Sequence, residues 1–179
     1  PEVFTMEEQT VDEKEIWAVL EVALKEACEN FVESRITEGE RLKEDLFDKL
    51  DGMIKDVDAI ENRYPQIMAE YREKLTMKVE ELLGDAQMEE GRIAAEVILF
   101  ADKICTDEET VRLRSHIESM REELLSGGSV GRKLDFLAQE MNREANTILS
   151  KANDLETSNR AINLKTEIEK VREQIQNIE

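Results

Sequence analysis

The densest group of chemically able side chains lies between Gly131 and Lys151, in the run GRKLDFLAQEMNREANTILSK. Wound as a helix, this run turns Leu134, Leu137, Met141 and Ile148 to one side. One flanking row carries Lys133, Glu140, Glu144, Thr147 and Lys151, and the other carries Arg132, Asp135, Gln139, Arg143, Asn146 and Ser150. Glu140 and Glu144 are four residues apart and point the same way, so they can share a divalent cation or divide acid and base roles. Arg143 and Lys151, on adjacent rows, can hold a phosphate. The plain alternative is a solvated helix laced with i,i+4 ion pairs. The amides Gln139, Asn142 and Asn146 weigh against it, because Asn is a poor interior helix former.

His116 is the only histidine. It lines up with Glu108 and Arg112 at i, i+4 and i+8, and stands two helical turns beyond Glu109. An imidazole titrates near neutral pH, which makes His116 the general acid/base candidate; the competing reading is a packed or surface residue. Cys28 and Cys105 have no paired-ligand spacing, and one His does not complete a zinc cluster. Both cysteines read as small buried hydrophobes. No glycine-rich phosphate loop joins a strand to a helix, which excludes nucleotide-binding folds.

The elements that must position these residues are all helical. Two Pro, seven Gly and 4% aromatics among 179 residues leave little for strands and turns. Charged residues at 37% beside apolar residues at 40% suit long amphipathic helices. After a loose stretch over 1–10, apolar residues keep helical spacing from Asp12 through Trp17, Leu20, Leu24, Ala27 and Phe31. A seam follows at Gly39, Leu42, Leu46, Leu50, Met53, Val57, Ile60 and Tyr64, close to the coiled-coil period. Pro65 is expected to interrupt it and to open a second helix over Gln66–Leu83, with Ile67, Tyr71, Leu75, Val79 and Leu82 on one face. Gly84-Asp85 closes that arm.

Beyond it the pattern predicts helices at about 88–104, from a Thr106–Glu109 capping box to about Leu125, at 131–152 and at 157–179. Ser126–Ser129 reads as a flexible loop. Ala161, Leu164, Ile168, Val171, Ile175 and Ile178 form a seam for a partner helix, within the chain or in another subunit. The expected fold is all-α: an extended helical hairpin or coiled-coil-like arm over 1–84, packed on a C-terminal helical bundle over 85–179.

Charge sharpens the division. The chain carries 24 basic against 43 acidic side chains, a net of −19. Residues 1–110 hold −18 of it and residues 111–179 only −1. The acidic part is poorly suited to nucleic acid, whereas the balanced part is not excluded. Two cysteines are too few for a disulfide scaffold, no apolar run spans a membrane, and no basic leader is visible. A cytoplasmic setting is expected.

The block Gly131–Lys151, with the terminal REQIQNIE (Arg172–Glu179), resembles the C-terminal region of the bacterial YicC/YloC family of endoribonucleases. Arg35-x-x-Glu38-Gly39-x-x-Leu42 and Glu108-Glu109-x-x-Arg112-Leu113-x-Ser115-His116 extend the resemblance over essentially the whole chain. It implies a metal-dependent endoribonuclease, oligomeric, whose subunits enclose RNA. Family chains carry a further N-terminal domain, so this chain is expected to be a C-terminal fragment that lacks it. The motif-matching positions are Glu109, Arg112, His116, Arg132, Lys133, Asp135, Glu140, Asn142, Arg143, Glu144, Asn146 and Lys151. Cys105 stands where the family usually has an acidic residue, with Asp107 as the neighbouring substitute.

Roles for these positions follow from their chemistry. His116, Glu140 and Glu144 are the expected catalytic groups, and Glu109, Glu140 and Glu144 the expected ligands of Mg²⁺ or Mn²⁺. Arg132, Lys133, Asn142, Arg143, Asn146 and Lys151 are the expected RNA contacts. The expected partners are RNA, further copies of the chain joined through the long helices, and the missing N-terminal domain; no membrane is expected. Two other functions fit the same residues: an RNA-binding adaptor serving another nuclease, and a purely structural oligomerisation module.

Overall fold

A computed structural model describes residues 12–83 and 90–178. Among them are five helices: α1 (Glu13–Leu83), α2 (Glu90–Ile104), α3 (Asp107–Ser126), α4 (Gly131–Lys151) and α5 (Leu155–Ile175). No strand occurs among the described residues, as the composition requires. The expected loose segment at 1–10 and the Gly84-Asp85 closure lie outside the described residues. No described helix is long and apolar enough to cross a membrane.

Two compact units divide the chain, one up to Leu42 and one from Lys43 onward. In the first, every residue from Asp12 to Arg41 is exposed, including Ile16, Trp17, Leu20, Leu24 and Phe31. Cys28 is exposed too and Cys105 half-buried, so neither is the buried hydrophobe its composition suggested. Cys28 lies on an exposed helical stretch, and Cys105 at an interhelical junction.

The second unit is a four-helix bundle in which the middle of α1 is one member. Leu46, Leu50, Met53, Val57 and Ile60 step by four and three and are all buried. Leu113, Ile117 and Met120 of α3, the α4 stripe of Leu134, Leu137, Met141 and Ile148, and Ala161, Leu164, Ile168 and Val171 of α5 are buried likewise. The α5 seam is therefore filled within the chain. Polar ties give the neighbours and their directions. Arg114 and Arg121 of α3 reach Asp58, Glu61 and Asp51 of α1, while Arg160 and Gln174 of α5 reach Asp56 and Asp45. Residue numbers rise along α1 as they fall along α3 and α5, so both run antiparallel to it.

Pro65 does not end α1; it sits inside the helix. The proline removes one hydrogen bond and strains the turn before it, so something must hold the chain there. Arg63 does so, donating to Gln66 Oε1 at 3.2 Å and to both Glu70 oxygens at 2.6 and 2.8 Å, across the proline turn. Tyr64 Oη donates to the Ala101 carbonyl at 3.2 Å, tying the same turn to α2. Beyond it α1 and α2 pair through Tyr71 and Phe100, whose rings stack with centroids 3.6 Å apart. Ile67, Leu75 and Val79 share that half-buried face, but Leu82, expected on it, is exposed.

The helix starts reward comparison with the expected caps. α3 begins after Thr106 as predicted, yet no side-chain cap bond forms there. Glu109 turns instead to Lys151, where both partners carry charge. The working cap is Asp154 at the start of α5, where Thr157 N donates to Oδ1 at 3.1 Å and Arg63 Nε to Oδ2 at 2.9 Å. Burial alone would raise the Asp154 carboxyl, but the Thr157 and Arg63 bonds outweigh it and hold it below its ordinary value.

A depressed carboxyl stabilises the fold above the unfolded-state value, about 3.9 for Asp, and that contribution disappears as pH falls through the folded value. The Asp154→Asn variant should therefore melt below wild type at neutral pH, with the gap closing below about pH 4. Melting scans from pH 7 to 2.5 check this; a gap that does not change with pH removes Asp154 as a source of acid sensitivity.

Candidate functional site

The faces of α3 and α4 meet in a polar seam built around one buried carboxylate. Glu109 is 5% exposed. Lys151 Nζ donates to both of its oxygens at 3.0 Å and to the Cys105 carbonyl at 2.9 Å, so all three ammonium protons have partners. Arg112 stands at the rim of the same seam. Its Nε donates to Glu144 Oε1 at 2.8 Å, and its terminal nitrogens reach Glu108 at 3.1 Å and Glu109 at 3.4 Å. The Glu144 and Glu108 carboxylates hold the guanidinium proton more tightly than usual. Glu108, Glu109, Arg112, Glu144 and Lys151 thus form one network in which three acids face two bases.

The other expected residues are spread around α4. Glu140 is half-buried and accepts from Arg143 at 2.6 Å, three residues on. Lys133 pairs with Glu123 of α3, and Asn142 Nδ2 donates to Glu169 of α5 at 3.2 Å. Asn142 Oδ1 is buried without a partner. Arg132 and Asn146 are exposed, and His116 is half-buried on α3. Asp135 accepts from Arg172 Nε at 2.9 Å and from Gln139 at 2.6 Å; the Arg172 bond chiefly draws its carboxyl below the ordinary range.

The structure therefore brings Glu109, Arg112, Glu144 and Lys151 together, while Glu140 with Arg143 and Asn142 lie at other places on α4. Among the described residues, no three His, Cys, Asp or Glu side chains converge as a metal-ion site. Glu108 belongs to the network but is not among the expected site residues, although its i,i+4 spacing to Arg112 is visible in the sequence. Phe136 also escaped notice. It is 58% exposed on the outer face of α4. Its helical angle, close to those of Arg132 and Arg143, was the signal that would have found it.

Comparison with known proteins places this geometry. Residues 60–179 match the C-terminal region of endoribonuclease YicC-like proteins, and residues 1–44 match their N-terminal region. Part of the region expected to be missing is thus present in this chain. A probable endoribonuclease YicC of Clostridioides difficile is 42% identical over 180 residues, covering 100% of this chain and 61% of the relative. The probable endoribonuclease YicC of Haemophilus influenzae is 36% identical over 179 residues, with the same coverage. The chain spans about three fifths of the length of these curated relatives. Matched across its α3–α4 seam, its α5 and the greater part of its length, this chain belongs to the YicC-like endoribonuclease family.

Proposed function

We propose that the protein to which this chain belongs binds RNA and cleaves it internally, with the α3–α4 region bearing reactive groups. The observation that carries this reading is the family match over residues 60–179, which includes every expected site residue. The chemistry is compatible. RNA phosphates arriving at Arg112 compete with Glu144 for the guanidinium, and a released Glu144 carboxylate can take the proton of an attacking hydroxyl. The phosphorus–oxygen bond to the leaving sugar then breaks, and a protonated His116 is the candidate donor to that oxygen. Exposed Arg132, Lys133 and Arg143 would contact flanking phosphates, and Asn146 a ribose or base edge.

A divalent cation, Mg²⁺ or Mn²⁺, is part of the proposal as a Lewis acid at the phosphate. The three carboxylates expected to hold it do not fit one shared site: Glu109 is matched by Lys151, Glu144 by Arg112 and Glu140 by Arg143. Mg²⁺ is commonly bound by one or two carboxylates with substrate phosphates, so its binding would depend on the RNA as much as on this chain. Cleavage of labelled RNA by the full-length protein is the test. Glu144→Gln is expected to lower the rate at least 100-fold, the usual loss when a general base is removed, and chelation of the metal to stop it. Undiminished metal-dependent cutting by the Glu140→Gln/Glu144→Gln double variant would exclude both residues.

The pairing of all three carboxylates favours a second reading, an adaptor that binds RNA without cutting it. RNA that stays intact beside bound wild-type protein and added metal would select it. Assembly of several copies through the long helices, a further N-terminal domain and a cytoplasmic site of action complete the proposal.

A further inference from the structure

The outer face of α4 carries Arg132, Phe136, Gln139, Arg143, Asn146 and Ser150, stepping by four, three, four, three and four residues. They form one stripe, opposite the buried Leu134, Met141 and Ile148. Phe136 interrupts an otherwise polar row. An aromatic ring turned outward loses the burial that normally retains it, so a partner for its face has to be sought.

Beside Phe136 lies an open groove of about 710 Å³ between the start of α4 and the end of α5, which Arg132, Gln139, Arg172 and Ile175 help to line. Its base depends on Gly131. A β-carbon there would stand 2.7 Å from the Ile178 carbonyl oxygen, a backbone atom with little freedom to retreat. Glycine thus lets the C-terminal turn close directly onto α4. The groove also carries charge: of its three charged lining residues, Asp135 and Arg172 are paired with each other. Among the described residues no carboxylate pairs with Arg132. In a chain of net charge −19, an unmatched guanidinium beside an exposed aromatic ring marks a place for an anion with a flat apolar part.

We propose that this groove takes one nucleotide of single-stranded RNA, with the base stacked on Phe136 and a phosphate at Arg132. Gln139, whose amide nitrogen also donates to Asp135, offers its amide oxygen and second N–H to the base edge, and Arg143 and Asn146 carry the strand on along the stripe. Duplex RNA is excluded, because a paired base keeps its faces within the stack. The proposal rests on the reading that the protein binds RNA, but not on whether it cuts.

The test is fluorescence anisotropy of the full-length protein with a labelled single-stranded oligoribonucleotide, without metal. Phe136→Ala is expected to weaken binding on the order of 10-fold, as loss of a stacking platform does. An oligonucleotide with abasic positions should bind the wild type and Phe136→Ala alike. Arg132→Gln should reduce the slope of log affinity against log salt by about 0.7, one phosphate contact. Phe136→Leu separates stacking from mere apolar contact: a loss like that of Ala supports the proposal, and wild-type affinity overturns it. Unchanged binding by both Phe136→Ala and Arg132→Gln overturns this site while leaving RNA binding in place. Failure of the wild type to bind any RNA overturns both. Should Phe136→Ala change the oligomeric state in sedimentation without changing RNA affinity, the stripe is a contact between copies, and the proposal fails.

Discussion

Replacing Lys151 with Met should destabilise the bundle by about 3 kcal/mol, the low end of the range for breaking a buried ion pair. The size follows from what is left behind. Glu109 has a side chain only 7% exposed, and Lys151 supplies hydrogen bonds to both of its oxygens and to the Cys105 carbonyl. Arg112 at 3.4 Å is too long a contact to replace them. The carboxylate is then left buried without its cation, and the junction between α2 and α3 loses its tie to the end of α4. Glu109→Gln in the same chain should recover part of the loss, because removing both charges leaves a neutral amide. A thermal double-mutant cycle measures this. Additive losses would mean that the two residues do not act as a pair. Lys151 also matches the family motif and was expected to touch RNA. A Lys151→Met protein with wild-type melting but lost RNA affinity would restore that role and remove the structural one.

The bundle was legible because its core is written in simple periods. Leu46, Leu50, Met53, Val57 and Ile60 alternate steps of four and three, and all of them are buried. Ala161, Leu164, Ile168, Val171 and Ile175 do the same on α5. Periodicity names the buried face but not the partner, which is why the α5 seam was open to another subunit until its neighbours were placed. Pro65 misled because local sterics forecast a break, while Arg63 bridges the turn to Gln66 and Glu70 of the same helix and Arg63 and Tyr64 also reach Asp154 and Ala101, which only the fold brings near. Glu109 misled in a similar way. Three residues after Thr106 it completes a capping pattern, yet Lys151, 42 positions away, binds it. The candidate site was legible as a list and not as a geometry. Helical spacing could say that Glu140 and Glu144 share a row and that Arg143 is within reach of Glu140, but not that Arg112 from α3 would take Glu144.

The contrast between the two parts of α1 gives the second large effect. Leu50 is completely buried, and Leu50→Ala should cost about 3 kcal/mol through lost burial and a residual cavity. Leu20 is a leucine of the same helix, yet 51% exposed. In the chain of residues 1–179, Leu20→Ala should stay within about 0.5 kcal/mol, as surface substitutions do. The stretch around it is nevertheless unlike an ordinary solvated helix. Ile16, Trp17, Val19, Leu20, Val22 and Leu24 cover more than half of the helix circumference, and all are exposed. An apolar arc that wide normally faces a larger body. In a full-length protein whose remaining N-terminal region or neighbouring copy covers this stretch, Leu20→Ala should become nearly as costly as Leu50→Ala. Measuring both substitutions in both lengths of chain, by thermal or urea unfolding, reads that coverage directly. Equal, small effects of Leu20→Ala in the two would show that the stretch remains in water, and a small effect of Leu50→Ala in either would contradict the membership of α1 in the bundle.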